Sequence, residues 1–176
     1  MPAMKRLRIT GWKQRRNLSL LAVKGWPWAG VNALAGAFTQ ARINLPFLLM
    51  HGGKGGVRVG LCLETANSPQ ALALAQELAQ AHGWPTPRVR EPVIALTFYP
   101  LAAGMALPAQ ALACLATVGL KPLALGTSLA AMTVILPEDQ LAAAVEALGS
   151  RFDLPPGGSP PEEQVSVVQS PLSREG

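Results

Sequence analysis

Residues 51–63, HGGKGGVRVGLCL, set Lys54 among four glycines just ahead of an apolar run. Glycine-rich loops carrying a lysine hold nucleotide phosphates through backbone N–H groups and the ammonium. That chemistry needs Gly-Lys followed by Ser or Thr and then a helix whose N-terminus faces the phosphate. Here Gly55 follows Lys54, and Val57, Val59, Leu61 and Leu63 alternate with Arg58, Gly60 and Cys62, the period of a strand. The loop therefore reads as a hairpin turn, where glycines supply the positive φ that tight turns need. The other reactive side chains do not converge. His51 opens the hairpin and His82 sits near a helix end, neither with a carboxylate or thiol at ligand spacing, and no acidic residue precedes Glu64. Ser128 lacks a Gly-x-Ser-x-Gly frame, and Cys62 and Cys114 sit singly among apolar neighbours. Paired acid–base work, nucleophilic catalysis and metal binding all lack their material. The expectation is no enzyme, no catalytic residue, no metal and no cofactor, with two buried free thiols rather than a disulfide.

The elements that surround these residues follow from composition and period. The chain has 176 residues, 49% hydrophobic and 14% charged, enough to bury a core of Ala, Leu and Val. Its net charge of +5 is uneven: Lys5, Arg6, Arg8, Lys13, Arg15, Arg16, Lys24, Arg42, Lys54 and Arg58 all precede the first acid. A basic third of this kind can contact nucleic acid or an anionic surface. No helix–turn–helix, zinc spacing or Arg/aromatic repeat supports that, so nucleic acid is disfavoured as a partner and a solvated basic strand or arm is expected. The N-terminus has charges but no apolar core segment, so no signal peptide is expected and the location implied is the cytoplasm.

Leu18–Val23 is a short apolar run, expected as a strand. Val31, Leu34, Ala35 and Phe38 then fall at helical spacing, and Leu45–Met50 is a second run too short for a helix. After the hairpin, Ser68 reads as a helix N-cap with Pro69 in the first turn, and Gly83 closes that helix. The order recurs. Val93–Phe98 is an apolar run; Ala111, Leu115 and Val118 keep helical spacing up to Gly119; Pro122–Leu125 and Met132–Leu136 flank the turn GTSLA. A last helix opens at Pro137 with two acids in its first turn and presents Leu141, Val145 and Leu148 inward. The uncharged window Pro92–Leu120 is thus a strand, a Pro/Gly loop and an amphipathic helix rather than a membrane span. The chain is a duplication with a period of roughly 75 residues. Each βαββα unit that gains one more strand is ferredoxin-like, so the fold class expected is α+β, two βαββαβ repeats with helices on one face of antiparallel sheets. The divisions expected are a basic segment at 1–12, repeats at 13–92 and 93–154, and a Pro/Gly-rich, disordered tail at 155–176, in which VSVVQ is a weak strand signal.

Four segments carry a family resemblance: RITGWKQRRNLSLLAV, ARINLPFLLM, VGLKPLALGTSLAAMTVIL and PEDQLAAAVEALGSRF. In order and spacing they are similar to the tandem ACT repeats of the regulatory part of aspartokinases, over nearly everything before the tail, without the kinase domain that precedes those repeats. The resemblance implies that Arg6–Gly11 completes the sheet of the second repeat and that Arg88–Arg90 is the last strand of the first. It also implies side-by-side pairing of two chains, a homodimer, with a small amino-acid effector at the interface.

Carried onto this chain, the family's first-repeat effector loop falls on Trp26, Pro27, Trp28 and Ala29, its Asn on Asn44 and its following Gln on Met50. In the second repeat the family's Ile-Asn contact region falls on Leu120 and Lys121, and the family's Thr and Ser are kept as Thr127 and Ser128. The loop aspartate that would balance an ammonium is gone, and burying an unpaired ammonium costs several kcal/mol. Trp26 and Trp28 then either wall a pocket for an apolar or aromatic amino acid, whose carboxylate meets helix N–H groups, or plug a core or interface. The first alternative is a regulatory sensor of a small metabolite acting on an unknown protein partner. The second is a ligand-free dimerisation or protein-interaction module.

Overall fold

The computed structural model describes residues 7–100, 106–128 and 131–153. The elements are β1 (Leu7–Trp26), α1 (Trp28–Gln40), β2 (Phe47–Gly53), β3 (Gly56–Glu64), α2 (Ser68–His82), β4 (Arg88–Pro100), α3 (Ala106–Thr117), β5 (Ala124–Thr127), β6 (Met132–Pro137), α4 (Leu141–Gly149) and β7 (Phe152–Asp153). The strand order is β2-β3-β1-β4-β6-β5; all these pairs are antiparallel, and β7 adds to the start of β1 in parallel. This is the α+β, twofold βαββαβ arrangement expected.

Two long strands replace four short ones. The first half of β1 pairs with the end of β4 (Trp12 opposite Phe98), and its second half pairs with the start of β4 (Leu21 opposite Val89). The expected strands near residues 6–11 and 18–23 are therefore one strand, as are those at 88–90 and 93–98. The register shifts between Arg15 and Leu18, where Asn17 takes φ 57°, a left-handed conformation that Asn tolerates better than most residues.

Each half-sheet carries its helices on one face. Leu21, Val23, Val57, Val59, Leu61 and Leu63 meet Leu34 and Phe38 of α1 and Ala71, Ala75 and Ala79 of α2. Ile94, Leu96, Phe98, Val134 and Leu136 meet Leu107, Ala111 and Leu115 of α3 and Ala144 and Leu148 of α4. The opposite faces of the two halves close on each other: Leu18, Leu20, Cys62, Val93, Ala95, Ala124 and Ile135 form a third cluster with Phe47 packed against it. A Cβ added at Gly126 of β5 would lie 2.9 Å from the Phe47 ring of β2, so the two ends of the strand order meet there. Cys62, on the face of β3 turned away from α1 and α2, is fully buried for this reason.

Other differences are local. Ser68 is not the N-cap of its helix; it is buried as the first helical residue, behind a 3-10 turn at Thr65–Asn67. Val118 lies beyond the end of α3 and is exposed. The last helix begins at Leu141, after a 3-10 turn at Glu138–Gln140, and buries Ala144, Ala147 and Leu148. Phe152, not singled out in the sequence, is fully buried and stacks with Phe98 at 6.2 Å between ring centroids. Gly83 (φ 66°) and Gly119 (φ 74°) take the left-handed conformation at helix ends, as read. Residues 50–57 are the hairpin expected, with Gly53 opposite Gly56. Gly56 has φ 94°, and a Cβ there would lie 2.8 Å from the carbonyl oxygen of Trp26, so only glycine fits. The expected loop at 101–105, residues 129–130 of the turn GTSLA, and the tail with VSVVQ lie outside the described residues. Among the described residues no helix is long and apolar enough to cross a membrane.

Candidate functional site

The two tryptophans, two residues apart, part company at Pro27. Trp26 is the last residue of β1 and fully buried; its Nε1–H donates to the Pro85 carbonyl at 2.8 Å, and its ring sits 5.0 Å from that of Trp84. It is a core plug. Trp28 is the first residue of α1 and 61% exposed. Its ring lies over the end of β2, where a Cβ added at Gly52 would be 3.1 Å away.

Behind that ring a groove of about 250 Å³ runs between α1 and β2. Trp28, Val31, Asn32 and Ala35 form one wall, Leu48 and Met50 the other, and Leu34, Phe38 and Leu61 the floor. Leu48 and Met50 stand opposite Leu61 and Val59 of β3 and so face the helices. Among the described residues β2 is an edge strand whose other side has no partner, and Leu48, Leu49 and Met50 are 40–46% exposed along it. The groove therefore opens along an unpaired strand edge.

Trp28, which walls the groove, is also the first residue of α1. The first N–H groups of a helix have no intrahelical acceptor. Pro27, the residue before α1, provides no side-chain cap, and its carbonyl takes the N–H groups of Gly30 and Val31. The amides of Trp28 and Ala29 are left for water or a ligand, at the end of the helix that favours negative charge. The lining holds no ionisable side chain, and Asn32 is its one polar residue.

Of the residues read from the sequence, Trp28 and Met50 line this groove; Pro27 and Ala29, at the start of α1, are not among its lining residues. Trp26 does not reach it. Asn44 is exposed in the connection between α1 and β2 and is not among the lining residues. Lys121, Thr127 and Ser128 are exposed on or beside β5, at the other end of the strand order. Ser128 Oγ accepts the Ala131 N–H at 3.1 Å, a turn-closing role. Val31, Ala35 and Leu48 are lining residues that helical and strand periods mark only as core. An uncharged Leu48-x-Met50 alternation ending in Gly52 was the available signal.

The nucleophiles are quiet. Burial pushes the Cys62 thiol up to about 11 and also raises Cys114, so neither is a thiolate near neutrality. Both are free and buried, as expected. No group of three or more His, Cys, Asp or Glu side chains suited to a metal occurs among the described residues.

No protein-family model matches the chain, and no curated protein matches its sequence. Solved structures do. A structure of aspartokinase α and β subunits matches with a TM-score of 0.74 at 19% identity, covering 83% of this chain and 99% of that one. The regulatory subunit of aspartate kinase from Thermus flavus matches with a TM-score of 0.73 at 16% identity, covering 85% of this chain and 100% of that one. E. coli aspartokinase III in complex with lysine and aspartate matches at 0.62 and 16% identity, covering 86% of this chain and 34% of that one. Over the whole of the matched regulatory subunit, and without close sequence identity, this chain has the fold of the aspartokinase regulatory region.

Proposed function

We propose that the chain is a regulatory module that binds a small amino acid of apolar or aromatic side chain in the α1–β2 groove, closed by a second copy along β2. The groove's opening on an unpaired, apolar strand edge carries this reading. An exposed apolar edge is a template for pairing with another chain, and single charges or prolines that would blunt it are missing from Phe47–Gly53 except for His51. A volume of about 250 Å³ lies just below the range of roughly 300–1,000 Å³ typical of ligand pockets, the scale of one amino acid rather than a nucleotide. The Trp28 and Ala29 amides receive the carboxylate and the ring and Met50 pack on the side chain. Ligand held across two chains then favours one dimer arrangement by its differential affinity, which is how it would reach a protein partner. The matched aspartokinase III complex with lysine and aspartate lends support by analogy of fold alone.

One observation favours a second reading, a ligand-free dimerisation or protein-interaction module: no charged group in the groove answers an ammonium. A thermal-shift screen against the twenty amino acids separates the two. A ligand at a hundredfold excess over its dissociation constant stabilises the folded state by about 2.7 kcal/mol. The sensor reading expects a shift with apolar or aromatic amino acids that Trp28→Ala abolishes. No shift with any of them, in a protein that self-associates, selects the interaction module.

A further inference from the structure

The glycine hairpin that fails as a nucleotide-binding loop borders a second concavity, on the face of the first half-sheet that points away from α1 and α2. Its volume is about 950 Å³, and Lys24, Lys54, Arg58, Arg88 and His51 line it. We infer that this concavity is a binding site for a linear polyphosphate group, carried by a small molecule.

Four observations converge. Lys24 of β1 lies directly opposite Arg58 of β3, and Arg58 directly opposite His51 of β2, so three basic residues form one cross-strand row on one face. Like charges directly opposite each other destabilise a sheet. Arg88 of β4 stands opposite Ala22, one row away, and Lys54 reaches in from the hairpin turn. Among the described residues no carboxylate lines the site, and the ion pairs Arg15–Glu64 at 2.8 Å and Arg16–Glu138 at 3.8 Å lie outside it. The lining cations Lys24, Arg58 and Arg88 and the His51 ring span four strands, a width of about 14 Å at the usual strand spacing. The floor and rim are small: Ala22, Gly25, Gly53, Gly55 and Gly56 leave the backbone open to close approach.

These features choose the ligand. Four fixed cations within a confined concavity ask for several negative charges close together, which one carboxylate or one phosphate does not provide. Single-stranded nucleic acid is held by aromatic stacking along a charged track. Among the described residues the lining has no aromatic ring apart from the His51 imidazole. An anion seated between Lys24 and Arg58 would offset their mutual repulsion more than solvent screening does.

Calorimetric titration of the whole chain with sodium tripolyphosphate, ATP, AMP and a single-stranded oligonucleotide in dilute buffer tests the assignment. Tripolyphosphate and ATP are expected to bind comparably and AMP weakly, with binding that weakens in salt. Lys24→Ser/Arg58→Ser is expected to weaken tripolyphosphate at least about tenfold. Arg15→Ser/Arg16→Ser, which removes equal charge from β1 outside the concavity, should leave it nearly unchanged. Without polyphosphate, the Lys24→Ser/Arg58→Ser variant should melt at or above the parent temperature, because a repulsive pair has gone. Equal losses in both double variants, AMP binding as tightly as ATP, an oligonucleotide binding more tightly than tripolyphosphate, no tripolyphosphate binding, or a destabilised or unfolded Lys24→Ser/Arg58→Ser protein would each overturn it. Arg88→Ser, on a different strand, gives an independent loss of binding if the site is as described. Amino-acid binding in the α1–β2 groove is read out separately, so either site can fail alone.

Discussion

β2 and β5 occupy equivalent places in the two halves of the molecule, each the edge strand beyond a central hairpin partner. They end up very different. β5 is four residues long, with Ala124 buried, Leu125 against the second core and Gly126 under the Phe47 ring. β2 is seven residues long and leaves Leu48, Leu49 and Met50 exposed. A short, tucked edge is protected from pairing with other chains, and a long apolar one invites it. The repeat supplies the same scaffold twice, but the side chains on it place the sticky edge, the groove and the basic concavity all in the first half. Fold likeness, the one thing the aspartokinase matches establish, does not predict that asymmetry.

The sharpest way to test the division between scaffold and site is the tryptophan pair. Trp26→Ala opens a cavity in the first core and orphans the Pro85 carbonyl, so a loss of about 3–5 kcal/mol is expected in chemical denaturation. Trp28→Ala, at an exposed position, should change stability by no more than about 0.5 kcal/mol while losing ligand or dimer. Equal losses would mean that Trp28 belongs to the core after all. A smaller effect should separate the two edges. Leu49→Lys/Met50→Lys on β2 should weaken self-association at least about tenfold, or about 1.4 kcal/mol, in sedimentation equilibrium. Thr127→Lys on β5 should leave it unchanged. Self-association indifferent to both changes would remove β2 as the interface.

Much of the scaffold was legible because it is local. Period-two alternation marks β3, the Gly-rich hairpin joins it to β2, and Gly83 and Gly119 stop their helices at left-handed φ. What was not legible depends on pairing across the chain. Alternation marks one buried face, so nothing local says that Leu20 and Cys62 on the other face are covered by Ala95 and Ile135 from distant parts of the chain. β7 is two residues long, below any periodic signal, although its Phe152 is a core residue. The site was half legible for a related reason. Two tryptophans at i and i+2 look like one face of a strand, but Pro27 ends the strand between them. One ring is thrown inward and the other out.

The smallest expected effect concerns the joint between the halves. Ser19, fully buried on β1, donates to Glu91 Oε2 on β4 at 2.6 Å, beside the β1 bulge. That bond, then a second from Ser68, holds the Glu91 carboxyl below its ordinary value of 4.5, with burial opposing weakly. A carboxyl with a depressed folded-state pKa binds fewer protons folded than unfolded, so its contribution is complete above 4.5 and fades as pH falls through the folded value. Ser19→Ala should therefore be less stable than the parent at neutral pH, and the difference should shrink in acid. Glu91→Gln should show a loss at neutral pH but little further change when Ser19→Ala is added, since the charged acceptor is already gone. Urea denaturation of the parent and the three variants across that pH range measures both. A Ser19→Ala deficit that stays constant down to the acid end would assign the loss to packing of a buried hydroxyl rather than to its bond with the carboxylate. The two long strands would then be joined at this point by their backbone ladder and by packing, without the carboxylate.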